Sequence, residues 1–139
     1  MTRDERIAYA AGLFDGEGYV GIELVPRLRA RAVLLTLAVQ MKTPFGPQFF
    51  AETFGGRIHF CDPPSRTALY RWRVTSGRAA AVLRELRPFL REKAAQVDLC
   101  LEGRAIQENR PQGQGARYRP EDRARVTVIH QQVKALKRA

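Results

Sequence analysis

One pattern constrains the fold of this 139-residue chain more than any other: a helix followed by an alternating hairpin occurs twice in succession. In residues 4–15, DERIAYAAGLFD, the apolar residues Ile7, Ala11 and Phe14 recur at helical spacing, with Ala8, Ala10 and Leu13 beside them. Acids in the first turn suit a helix N-terminus. Gly16 and Gly18 are expected to break the helix, because glycine tolerates the dihedrals of a C-terminal cap. YVGIELV then alternates, with Val20, Ile22 and Leu24 on one face, and PRLRAR reads as the turn into RAVLLTLAVQMK. In the second unit Gly46-Pro47 opens a short helix, QFFAETF, that stops at Gly55-Gly56. RIHFC and ALYRWRV form its hairpin, joined across Asp62-Pro63-Pro64-Ser65.

Ser76 is the expected cap of the next helix, GRAAAVLRELRPFL, which Pro88 should interrupt. KAAQVDLCLEGRAIQ continues as a helix with Val97, Leu101 and Ile106 on one stripe. NRPQGQGARYRP has no periodicity and reads as a loop, and a basic helix spans about 120–137. The order predicts one α+β domain with an antiparallel sheet. Its core is placed at residues 1–107, followed by a loop at 108–119 and a C-terminal basic helix at 120–139 of the same domain.

Charge narrows the partner. A formal net charge of +10 suggests a polyanion. Between Glu23 and Glu52 there is no acid, while Arg27, Arg29, Arg31 and Lys42 lie inside; between Asp62 and Glu85 there is again none, and Arg66, Arg71 and Arg73 fall there. Solubilising surfaces mix signs, so two acid-free blocks point to nucleic acid. No apolar run reaches the ~20 residues of a bilayer span, and MTRDERIAYA is not a secretory signal. Cys61 and Cys100 make one pair at most, so a reducing, intracellular setting is expected, cytoplasmic or organellar.

Alternation assigns the sheet faces. Tyr70, Trp72 and Val74 should face the helices, leaving Arg71, Arg73 and Thr75 free. If Val33, Leu35, Leu37 and Val39 pack inward, the free face shows Leu34, Thr36, Ala38, Gln40 and Lys42. Leu34 and Ala38 are read either as packing at the sheet margin or as contacts to thymine methyls. A two-stranded ribbon fits the DNA major groove, where Gln can bond adenine and Arg guanine. Glu23, Arg57 and His59 join the same set of candidate DNA contacts.

Within AAGLFDGEG, Asp15 and Glu17 would repel phosphate unless a divalent cation reverses the sign. Two residues apart at a helix end, they cannot point the same way. Asp15 suits a structural bond to nearby backbone, and Glu17, between glycines, suits a metal ligand. One Glu is too few ligands, so two copies across a symmetry axis would be needed. Ala8 and Gly12, four apart with Ala11 beside them, make a face on which two helices could approach closely.

These residues carry a resemblance. AAGLFDGEG resembles the signature of the LAGLIDADG homing endonucleases, with Glu as the second acid. LLTLAVQMK resembles their DNA-reading strand, FFAETFGGRIHF their helix and third strand, and ALYRWRVTSGRAAAVLRELRPFLREKAAQ the fourth strand and later helices, so that residues 5–107 are covered in order. The resemblance implies an αββαββα fold with a saddle-shaped sheet over double-stranded DNA. One motif per short chain implies a homodimer through the AAGLFDGEG helix, whose seam would include Ala8, Ala11, Gly12 and Asp15. It further implies hydrolysis at a long pseudo-palindromic site with Mg²⁺ or Mn²⁺, Ca²⁺ binding without supporting cleavage, and a role in intron or intein mobility. By position, Glu17 is then the catalytic acid, the Gly16 carbonyl a further metal ligand and Lys93 the basic residue near the site. The chain departs from the pattern at Thr43, where some members carry glutamine, and around Pro47, where a water-ordering arginine is replaced. A cleavage-deficient DNA-binding regulator or RNA-splicing maturase on the same fold is the alternative. The basic C-terminal helix is placed to touch flanking phosphates.

Overall fold

The computed structural model describes residues 1–27, 30–110 and 118–138, the side chains of 25–27 and 30–32 excepted. Helix α1 spans Arg3–Glu17, strands β1 and β2 Gly18–Arg27 and Ala30–Met41, helix α2 Phe45–Phe54, strands β3 and β4 Ile58–Cys61 and Leu69–Thr75. Helix α3 (Ser76–Leu86) passes through a 3-10 turn at Arg87–Phe89 to α4 (Ala94–Glu108), and α5 covers Pro120–Arg138. The strands form one antiparallel sheet in the order β1-β2-β4-β3, so the two helix–hairpin units meet at β2 and β4 in its centre. This is the α+β architecture that the repeated pattern predicts. Among the described residues, no helix is long and apolar enough to cross a membrane.

The α1 boundaries refine the expected ones. Thr2 and Glu5 close a capping box at its start, each side chain bonding the other's backbone N–H. At the far end Gly16 does not break the helix, which continues through Glu17. Gly18 is the cap with φ −82°, extended backbone open to any residue. Its lack of a side chain matters for another reason: a Cβ there would overlap the ring of Phe14, which is wholly buried. Positive φ is instead needed after α2, where Gly55 and Gly56 have φ 85° and 93°. That turn brings the Gly55 carbonyl to Trp72, whose indole N–H donates to it at 2.9 Å.

Helices cover one face of the sheet. The inward row Val20, Ile22, Leu35, Leu37, Val39, Trp72 and Val74 packs beneath Phe14 of α1, Phe50 of α2, Leu83 and Leu86 of α3 and Val97 of α4. Burial of these side chains at ~25 cal/mol per Å² of apolar surface is the main force holding the layers together. On α4 the inward stripe is Val97, Cys100, Gly103 and Gln107, with the expected Leu101 and Ile106 only half-buried. Gly103 lets α4 cross close to β1, since a Cβ would stand 3.2 Å from Ile22 Cδ1. Gln107 is satisfied by the Val33 N–H and the Tyr118 hydroxyl, which both donate to its Oε1. Thr75 rather than Ser76 occupies the α3 cap, without a side-chain bond, and Ser76 takes φ 55°. Pro88 ends α3 in the 3-10 turn, as its missing N–H requires. Helix α5 packs on α4 and on β1 through Val126, Ile129 and Val133.

Candidate active site and nucleic-acid interface

The foot of α1 separates its two acids. The Asp15 carboxylate accepts the backbone N–H of Arg91 at 2.8 Å and of Lys93 at 3.1 Å, tying α1 to the start of α4. Lys93 completes the tie, donating from Nζ to the Asp15 carbonyl at 2.7 Å and lying 5.9 Å from the Phe14 ring centroid. Its cation thus sits at the negative end of the α1 dipole, where it is favoured. Glu17 lies in the same last turn and is exposed. Among the described residues no hydrogen bond or ion pair engages its carboxylate.

A negative group at a helix C-terminus opposes the macrodipole and gains from a cation. The Glu17 carboxylate and the carbonyls of the last turn, including Gly16, are hard oxygen donors of the kind Mg²⁺ and Ca²⁺ take. The donor chemistry fits a divalent ion. Among the described residues, however, no group of three or more His, Cys, Asp or Glu side chains could hold a metal.

Among the described residues no helix layer covers the other face of the sheet, and its residues run in transverse rows set by the register. Gln40, Arg71 and His59 are directly opposite one another; Tyr19, Ala38 and Arg73 form the next row, and Gly21, Thr36 and Thr75 the third. Glu23 opposes Leu34. Gln40, His59, Arg73 and Glu23 are exposed, as are Lys42 after β2, Arg57 before β3 and Arg66 in the β3–β4 connection. Thr36 and Ala38 lie on this face yet are only 4% and 3% exposed, so longer neighbours cover them. Two polar atoms of this face, Thr36 Oγ1 and Arg71 Nε, are buried without a hydrogen-bond partner among the described residues. Orphaned donors and acceptors carry a desolvation cost that a polar ligand can relieve. Arg29 lies outside the described residues, as do the side chains of Arg27 and Arg31.

The outer surface of α1 differs in part from the expected seam. Ala11 is wholly buried in the chain's own core and is unavailable to a partner. Asp15 is spent on the α4 tie described above. Ala8 is half-buried, and Gly12 and Gly16 are exposed with nothing within 4 Å of an added Cβ. This row of small residues is flanked by the exposed Tyr9 and, across a groove lined by Leu13 and Phe49, by Phe45, which is 75% exposed.

Three residues near the acids escape sequence-based expectation. Tyr19 lies in the free-face row with Ala38 and Arg73, and Lys137 of α5 stands 3.8 Å from its ring centroid. Helical spacing gives no signal for that contact, because it depends on how α5 docks more than a hundred residues away in the chain. The same holds for Arg91, which acts through its backbone N–H and therefore leaves no trace in side-chain chemistry.

No protein-family model matches the chain, and no curated protein matches it in sequence. Solved structures do. The homing endonuclease I-CvuI, solved with DNA in the presence of Mg and, separately, of Ca, is 19% identical to this chain; with Mg the TM-score is 0.75, over 96% of this chain and 83% of that one. The archaeal intron-encoded homing endonuclease I-Vdi141I, complexed with DNA, gives 0.76 at 13% identity over 97% of this chain and 86% of the other. The LAGLIDADG meganuclease I-AabMI, bound to uncleaved DNA, gives 0.67 at 17% identity, matching 89% of this chain but only 43% of its own. With the signature at the foot of α1 and the paired hairpins in one sheet, the chain has the fold of the LAGLIDADG homing endonucleases.

Proposed function

We propose that the chain is a site-specific double-stranded DNA endonuclease that acts as a homodimer and hydrolyses phosphodiester bonds with a divalent metal at a long pseudo-palindromic site. The observation that carries this reading is Glu17: an exposed carboxylate without a partner among the described residues, at the C-terminal end of a helix, on a chain of net charge +10. A protein that only binds DNA gains nothing from an acid held there. When bound between two copies, Mg²⁺ or Mn²⁺ would polarise the phosphoryl group and lower the pKa of an attacking water.

The chain's own residues divide the remaining work. Glu17 and the Gly16 carbonyl provide ligands, and Asp15 holds the turn in register with α4. Lys93, anchored at the Asp15 carbonyl, provides a positive charge where a phosphate gains negative charge during attack. Arg71, Arg73, Gln40 and His59 present donors along the free sheet face for the base edges of the major groove. Gly12 and Ala8 let the α1 helices of two copies approach at the two-fold axis, bringing two Glu17 side chains together. The DNA complexes of the structural neighbours support the polyanion as duplex DNA.

Selection from a library of randomised duplexes, followed by incubation of the selected site with Mg²⁺, Mn²⁺, Ca²⁺ or chelator, tests the reading. Double-strand breaks at one position with Mg²⁺ or Mn²⁺, and none with chelator, are expected. Tight binding to a selected site without metal-dependent cutting would move the chain to the cleavage-deficient class. Pro47 bears on that outcome, since it is wholly buried in α2 and offers no side chain to order water.

A further inference from the structure

Lys137, near the end of α5, reaches round the β1 edge onto the DNA-facing side of the sheet. Its Nζ lies against the Tyr19 ring and 3.0 Å from the place a Cβ on Gly21 would take, and Tyr19 and Gly21 pair with Ala38 and Thr36 of the free face. A Cβ on Gly21 would stand 2.5 Å from the Tyr19 hydroxyl, so a side chain there would displace that tip. Tyr19, Lys93 and Lys137, with Asp15, Glu92 and Gln96, line a cleft of 390 Å³ beside the foot of α1.

Two lysines and two carboxylates line this cleft, but they do not pair with one another. Among the described residues neither lysine forms an ion pair with a carboxylate. Asp15 is occupied by two backbone N–H groups, and Glu92 is exposed to solvent. Partial desolvation and the Lys93 charge hold the Lys137 pKa below its ordinary value, with Cys100 pulling the other way. With neither carboxylate paired to it, the Lys137 ammonium gains from an anion placed beside it.

We propose that Lys137 is a phosphate-contacting residue of the cleavage site, its ammonium held by the Tyr19 ring so that it and Lys93 bracket one backbone phosphate of the duplex beside Glu17. The inference deepens the endonuclease reading and rests on it. It gives α5 a role in the site: the C-terminal helix delivers a basic group to a centre in which Pro47 delivers none.

The test is the salt dependence of binding to a labelled mixed-sequence duplex, measured on the full chain as wild type, Lys137→Met, Lys137→Arg and Tyr19→Leu. Each lysine–phosphate ion pair removed lowers the slope of log Kd against log salt by roughly 0.9, so a homodimer that loses one per protomer should lose about 1.8. Lys137→Met should show that decrease, Lys137→Arg should restore the slope, and Tyr19→Leu should weaken binding in the same direction as Lys137→Met. Equal unfolding midpoints of wild type and Lys137→Met exclude a folding defect; if Lys137→Met is poorly folded, the slope of Lys137→Gln decides. A wild-type slope in Lys137→Met, with or without weaker binding, overturns the proposal and leaves the endonuclease reading standing. Failure of the wild-type chain to bind duplex in a salt-dependent way overturns both.

Discussion

Asp15 and Glu17 share a helix turn, but one is fastened by two backbone N–H groups and the other has no partner among the described residues. Replacing Asp15 by Asn removes a charged acceptor from two backbone N–H groups and should cost about 1–3 kcal/mol of stability, read as a lower urea midpoint. Glu17→Gln should act in the opposite direction on the free protein. Removing a carboxylate from a helix C-terminus should stabilise it slightly, by roughly 0.3 kcal/mol at so exposed a position. Gly18→Ala should destabilise by about 1–3 kcal/mol, because the added methyl must displace the buried Phe14 ring. An Asp15→Asn variant as stable as wild type would remove the structural role assigned to that acid.

Helix α1 serves two surfaces, and they answer to different substitutions. Its inward residues Ile7, Ala10, Ala11 and Phe14 hold the core, whereas Gly12 faces open space. Gly12→Glu should therefore leave the monomer folded and place like charges across the proposed seam; sedimentation should show monomers where wild type sediments as dimers. A wild type that is already monomeric at micromolar concentration would rule the seam out. Much of this element is legible in the sequence. Apolar spacing marks the helix, alternation marks both hairpins, and Gly55-Gly56 and Pro88 mark stops that the backbone obeys. The departures have physical causes. Gly16 is tolerated inside a helix whose capping box and buried face outweigh one glycine, and Ala11 cannot be told from Gly12 by size alone. The free-face burial of Ala38 and the reach of Lys137 arise from side chains meeting across strands and from α5 docking, which local pattern does not encode.

Across the molecule, stability and function draw on charge in opposite ways. Helix α4 is bound to its neighbours by exposed pairs, Arg87 with Asp98 at 2.6 Å and Arg125 with Glu102 at 2.5 Å. Hydrogen bonds from the guanidinium groups hold both carboxylates below their ordinary pKa. Groups depressed in the fold stabilise it above their unfolded values, about 3.9 for Asp and 4.3 for Glu, and that contribution fades as pH falls through the lower folded values. Burial, with lesser help from Lys134, depresses His130, so protonation there favours the unfolded chain and stability declines as pH drops below about 6.5. Thermal melts should therefore show a shallow loss from about pH 6.5 and a further loss below about pH 4, modest because the carboxylate pairs are exposed. The sheet face works the other way: its arginines gain from an anion, and high salt should weaken DNA binding while leaving the fold intact.

All these features converge on Glu17. The decisive measurement is cleavage of a selected duplex by wild type and Glu17→Gln side by side, with Mg²⁺ present and with binding monitored on the same DNA. Wild type should produce double-strand breaks, and Glu17→Gln should bind the site yet leave it uncut, with a rate lower by at least ~100-fold, the scale on which removal of one group that stabilises a transition state is felt. Equal cutting by the two proteins would place the chemistry elsewhere and undo the assignment.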